Sequence, residues 1–324
     1  MVMASGIVSV ALRLAGSPGG SAVLLWIASA AFAVLIVVSA WRTAAFPGEL
    51  RCEVRRPDRV FGYFAFPAAA SVIGVGLASP GGQDRPGVVA ALALATVLAW
   101  IAVTWAVVMF LGNPAGPGRA ITGVNGTWQL WVVGTQSVAI AATSASLAGV
   151  MPARLAAWAA LVAWSAGAAL YPVITALVIA RLRAVGLAPD DLVAPYWVTM
   201  GAASITAVAA TQILPVARAA ALTGFRPVLT GLALVFWSVA TGLIPPLAVL
   251  AAARRRPGPA RKGFRRELWM IVFPAGMYAT ASMRTGAVAG LPLIREAGTV
   301  EAWVAASIWA VVSAWMIAAV GCGS

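Results

Sequence analysis

The stretch Glu267–Leu291, ELWMIVFPAGMYATASMRTGAVAGL, holds the residues whose types and spacing best suggest a task. Phe273, Gly276, Thr280 and Arg284 recur at steps of three and four, so a helix places them on one face. Pro274 takes a hydrogen bond out of that helix, and an arginine is costly at membrane depth. A helix that only sits in lipid needs neither. The chemistry on offer is non-covalent. A hydroxyl can donate a hydrogen bond, a cation attracts negative charge, and a ring can close a narrow passage by steric block or dewetting. The ordinary readings stand beside these: Phe273 as packing between helices, and Arg284 as a side chain snorkelling to headgroups.

Comparable stripes recur elsewhere. Ser5, Ser9 and Arg13 line up in the opening segment, Gln129, Gln136 and Thr143 in the fifth, and Thr199 and Thr206 in the seventh. The third segment differs, with Phe66, Ile73 and Leu77 on its corresponding face. A passage lined by hydroxyls and amides, with no carboxylate, suits an anion. Its O–H and N–H groups can donate, no fixed negative charge repels, and Arg13 and Arg284 toward one end would raise the local anion concentration. The competing reading is that these polar groups bond across packed helices.

All nine carboxylates, Glu296 and Glu301 included, fall in loops or at the edges of apolar segments. There is no histidine, and the two cysteines, Cys52 and Cys322, support neither a zinc site nor a disulfide framework. No cofactor or metal is implied. The absence of clustered carboxylates, histidines or a nucleophile–base pair argues against an enzyme. A proton-coupled carrier would need a protonatable group in the passage, or a substrate that carries the proton itself.

The elements that must position these residues are membrane helices. The 324-residue chain is 62% hydrophobic and 10% charged, with a mean hydropathy of +0.94. A soluble domain carries about 25% charged residues. Uncharged runs of about 20 residues predict ten helices near 2–16, 21–42, 60–79, 87–112, 125–150, 155–182, 194–214, 227–252, 267–290 and 300–320. The odd-numbered runs are rich in small residues and interrupted, whereas the even-numbered ones are bulkier and more continuous, with Pro172 and Pro245-Pro246 as structural kinks. Phe66-Pro67 and Phe273-Pro274 occupy matching places, so Pro67 and Pro274 are expected helix kinks. The odd helices repeat roughly every 66 residues, the weak internal symmetry by which transporters mark a pathway. The expectation is a single transmembrane domain over 1–324, built as five hairpins with five inner and five outer helices.

Fifteen of the 22 basic residues fall in the loops of one side and seven on the other. The positive-inside rule makes the richer side cytoplasmic and puts both termini there, in a multi-pass protein of the cell (inner) membrane. The same bias, rather than a nucleic-acid partner, accounts for the net charge of +13. The run RRRPGPARKGFRR could touch anionic membrane lipid, but a solvated cytoplasmic loop is the simpler reading.

The runs VMASGIVSVA, NGTWQLWVVGTQSVA, APYWVTMGAASITA and LWMIVFPAGMYATASMR resemble the tellurite-resistance/dicarboxylate transporter family. That family includes the plant slow anion channels and the yeast malate and sulfite carriers. The resemblance implies an all-α integral membrane protein whose hairpins stand in quasi-five-fold order around a central pore, one pore per subunit of a homotrimer. It implies a gated anion channel occluded by a phenylalanine of the ninth helix, a role that falls on Phe273. Beside it, the helical spacing described above makes Ser5, Ser9, Gln129, Gln136, Thr143, Thr199, Thr206, Gly276 and Thr280 the expected pore-lining residues. Substrate does not carry over: small inorganic or organic anions are expected, and a proton-coupled malate carrier or a sulfite or tellurite carrier is the alternative.

Overall fold

Each of the ten apolar runs is helical in the computed structural model, which describes residues 1–54, 57–78, 85–112, 123–186, 194–253, 264 and 266–321. The helices are α1 (Val2–Leu14), α2 (Pro18–Ala45), α3 (Ala65–Ala78), α4 (Pro86–Leu111), α5 (Leu130–Leu147), α6 (Ala153–Val185), α7 (Ala194–Ala219), α8 (Arg226–Ala253), α9 (Trp269–Ala289) and α10 (Pro292–Gly321). An uncharged chain in lipid must satisfy every backbone group internally, and a helix does so within one segment. Proline opens α2 and α4, where its missing N–H costs no bond. Single 3₁₀ turns lead into α3, α5, α8 and α9.

Consecutive helices pair as α1–α2, α3–α4, α5–α6, α7–α8 and α9–α10. The odd members also pack on one another in sequence, α1 on α3, α3 on α5, α5 on α7 and α7 on α9, and α9 returns to α1. The result is a closed ring of five inner helices with the even helices outside it, the arrangement expected from the sequence. Burial follows this division. Of the most apolar window of each helix, 89% is buried in α7 but only 11% in α4 and 17% in α8 and α10. The outer helices present Val37, Trp105 and Ile317 to the surroundings, as a lipid-facing shell should.

A glycine stands at each of the five contacts of the inner ring. Gly6 of α1 lies against Val72 of α3, and Gly134 of α5 against the ring of Phe64, which precedes α3. Gly126, in the turn before α5, meets the backbone carbonyl of Pro195 in α7. Gly201 of α7 lies under Pro274 of α9, and Gly276 of α9 against Ile7 and Val8 of α1. At each place a Cβ would fall 3.1 Å or less from its nearest neighbour. Small residues thus set how closely the backbones approach, as packing in lipid requires.

Several boundaries differ from the sequence reading. Pro67 lies in the first turn of α3, not mid-helix, because the 3₁₀ turn Phe61–Phe64 precedes it, and in a first turn proline removes no bond. Pro274 lies inside α9, as expected. α7 runs through Pro215 to Ala219, past the predicted end near 214. α10 starts at Pro292, so Glu296 and Glu301 lie within a helix, not at its edge. At 30 residues α10 is about 45 Å long, against a hydrocarbon core of about 30 Å, which leaves length for charged residues. The basic cluster at 254–256, 261, 262 and 265, and Cys322, lie outside the described residues.

Candidate functional site

The inner ring encloses a narrow cavity. α1 contributes Ile7 and Val10, α3 Val72 and Val75, α5 Ile140, α7 Val208 and Gln212, and α9 Met277 and Thr280. All five inner helices line it, and among the described residues no outer helix does. Its volume is about 10 Å³, room for about one water molecule. Among the described residues no charged one borders it, and its polar members are Gln212 and Thr280.

On α9 the face Phe273–Met277–Thr280–Arg284 continues this lining in both directions. Phe273 is one turn before Met277, about 6 Å along the axis, and is 0% exposed. Packing at Gly201 and Gly276 draws this part of α9 against α7 and α1. Arg284 lies one turn beyond Thr280 and is half-buried, with Nε unpaired among the described residues. Arg13 is half-buried in the last turn of α1, where a cation complements the helix dipole.

The polar stripes of the sequence are placed differently. Thr280 alone among the expected hydroxyls and amides borders the cavity. Ser5 accepts a hydrogen bond from Trp309 Nε1 of α10 at 2.8 Å, and Ser9 Oγ donates to the Ser21 carbonyl of α2 at 2.7 Å. Gln129 Nε2 donates to Thr175 Oγ1 of α6 at 2.8 Å, and Gln136 Nε2 to the Trp164 carbonyl of α6 at 3.2 Å. Trp164 Nε1 in turn donates to the Thr206 carbonyl at 2.9 Å. Thr206 Oγ1 is bonded to the Ala202 carbonyl of its own helix. Thr199 is buried near the start of α7, and Gly276 serves the α9–α1 contact. Thr143 stands behind the lining, with Oγ1 3.3 Å from Gln212 Oε1.

Sequence reasoning missed Gln212 because it placed that residue two positions from the end of α7. The signal was available: a glutamine in an uncharged run, thirteen residues after Thr199. The aliphatic lining was missed for a different reason. Ile7, Val10, Val72, Ile140 and Val208 are indistinguishable by type from lipid-facing residues.

Comparison with known proteins adds a finding of a different kind. The family model for the voltage-dependent anion channel matches residues 1–317. Two uncharacterized membrane proteins of Mycobacterium tuberculosis, from two strains, are each 37% identical over 142 residues. The match covers 44% of this chain and 72% of each relative.

Proposed function

The chain belongs to the voltage-dependent anion channel family, and on that premise we propose that it is a gated channel for small anions, closed in this conformation by Phe273. The observation that carries this reading is the cavity on the axis of the inner ring, bordered by all five inner helices and free of charge, with a fully buried phenyl ring one turn along the same face of α9. A carboxylate there would repel an anion, and a fixed cation would hold it too tightly to leave. Removing the ring would join the cavity to the space on its cytoplasmic side. Arg284 and Arg13, toward the other ends of their helices, attract anions to the opposite mouth. The protein works as a single domain in the cell membrane, with both termini cytoplasmic and one pore per subunit of a homotrimer.

The test is reconstitution of the full chain in planar bilayers with chloride, nitrate, sulfite or malate. Phe273→Ala is expected to raise anion current at least tenfold, with reversal at the anion's equilibrium potential; tenfold corresponds to about 1.4 kcal/mol off the barrier. Silence of both proteins with every anion would sink the reading. Malate uptake that needs a proton gradient and carries no anion current would replace it with a proton-coupled carrier.

A further inference from the structure

We propose that Gln212 is the anion-coordinating residue of the central cavity, and that Thr143 positions its amide. The proposal rests on the channel reading above and names the group that meets the ion. Of the residues bordering the cavity, Ile7, Val10, Val72, Ile140, Val208 and their aliphatic neighbours have no side-chain donor. Thr280 has a hydroxyl, but Oγ1 lies 2.9 Å from the Gly276 carbonyl of its own helix and its one proton is directed there. That leaves the carboxamide of Gln212, 6% exposed, whose Nε2 has no hydrogen-bond partner among the described residues. Two N–H groups on one nitrogen can donate to a small anion and add no charge to the site.

Which end of the amide faces the cavity depends on Thr143. Its hydroxyl is 2.8 Å from the Ile140 carbonyl and 3.3 Å from Gln212 Oε1, and a hydroxyl has one proton to give. When the proton goes to Gln212 Oε1, that oxygen is held back and Nε2 faces the cavity. When it goes to Ile140, the hydroxyl offers only lone pairs. The amide is then better satisfied turned over, with Nε2 on Thr143 and Oε1 facing the cavity. An anion in the cavity favours the first state because it binds the donor and not the acceptor. Ile140 loses little, since a carbonyl inside α5 already accepts from its own helix. Thr143 and Gln212 therefore act as one unit, with Gln212 touching the ion and Thr143 orienting it.

The test uses the full chain carrying Phe273→Ala in planar bilayers, with unitary current and the nitrate-to-chloride permeability ratio read from reversal potentials. Gln212→Met keeps the unbranched shape and removes the donors; it is expected to cut unitary current about tenfold, the order of one hydrogen bond to a charged group, and to shift the ratio. Gln212→Glu at pH 8 puts a negative charge in the cavity and is expected to abolish anion current. Thr143→Val is expected to shift the ratio in the same direction by a smaller amount, and Thr143→Ser to restore it. A residue that only supports the fold changes how many channels are active, not the ratio. Gln212→Met with unchanged unitary current and ratio overturns the proposal while leaving the channel intact. A Phe273→Ala protein that passes no anion overturns the channel reading itself, and this proposal with it.

Discussion

Gln136 and Gln212 are the same residue type, both in inner helices and both buried, yet they lie in regions with different tasks. Gln136 faces the seam between α5 and α6, where its amide donates to the Trp164 carbonyl and its side chain covers Gly167. Gln212 lines the cavity, with its oxygen 3.3 Å from Thr143 Oγ1 and no partner on its nitrogen among the described residues. Other seams resemble the first. Gln129 is tied to Thr175, Trp237 Nε1 donates to Ser282 Oγ at 2.9 Å, and Tyr278 shares a hydrogen bond with Thr241 at 2.8 Å. In lipid a polar group is satisfied by the neighbouring helix. A polar stripe therefore marks a helix–helix seam first, and the axis keeps mostly aliphatic side chains.

The sharpest way to break this arrangement is at the glycines that close the ring. Gly126→Ala drives a methyl into the Pro195 carbonyl, a backbone atom that cannot rotate away. The expected loss of stability is about 1–3 kcal/mol or more, the cost of overpacking, seen as a lower melting temperature in detergent. Gly74 is the control, because none of the described residues lies within 4 Å of its would-be Cβ. Gly74→Ala is expected to hold or raise stability, by up to about 1 kcal/mol, because alanine favours the helix. Equal losses at both sites would mean that the seams do not set the ring's spacing.

A smaller effect separates seam from axis directly. Gln136→Met removes the bond to Trp164, and such an interhelical bond is worth about 0.6 kcal/mol. A modest drop in melting temperature is expected, with the nitrate-to-chloride permeability ratio of the Phe273→Ala channel unchanged. A shifted ratio would place Gln136 on the ion's path and erase the distinction drawn between the two glutamines.

This contrast also explains what the sequence could reveal. Ten helices, their pairing and the inner–outer division were legible because apolar length, small-residue content and interruptions such as Pro274 are properties of single segments. The direction each stripe faces was not. Ser5 with Ser9, and Gln136 with Gln129, have the spacing of a pore-lining face, and only the partners Trp309, Ser21 and Trp164 reveal that Ser5, Ser9 and Gln136 point outward. Those partners are 304, 12 and 28 residues distant in sequence. Of the α9 stripe, Thr280 borders the cavity, together with Met277, which the stripe did not include, while Gly276 packs on α1.

The smallest expected effect lies outside the membrane, in the connection from α2 to α3, where polar residues are charged because water surrounds them. Glu53 Oε2 is 2.8 Å from Arg42 Nη2 and accepts from Tyr63 OH at 2.8 Å, while Oε1 accepts from Arg59 Nη1 at 2.6 Å. The hydrogen bond from Arg42, followed by that from Tyr63, holds the Glu53 carboxyl down from 4.5 to about 2. A carboxyl lowered in the folded state adds stability that is fully present above the unfolded value of 4.5 and disappears as pH falls toward 2. The arginine side chains are 39% and 52% exposed, so solvent screens the pairs and their contribution is small. Glu53→Gln is expected to lower the melting temperature by less than about 3 °C at pH 6, with the gap from wild type narrowing below pH 4.5 and closing near pH 2. Thermal shifts of the detergent-purified proteins across that range check it. A gap that persists unchanged at pH 2 would mean that the shape of the Glu53 side chain, and not its charge, holds this connection. Its polar cluster would then be a packed seam like those inside the membrane.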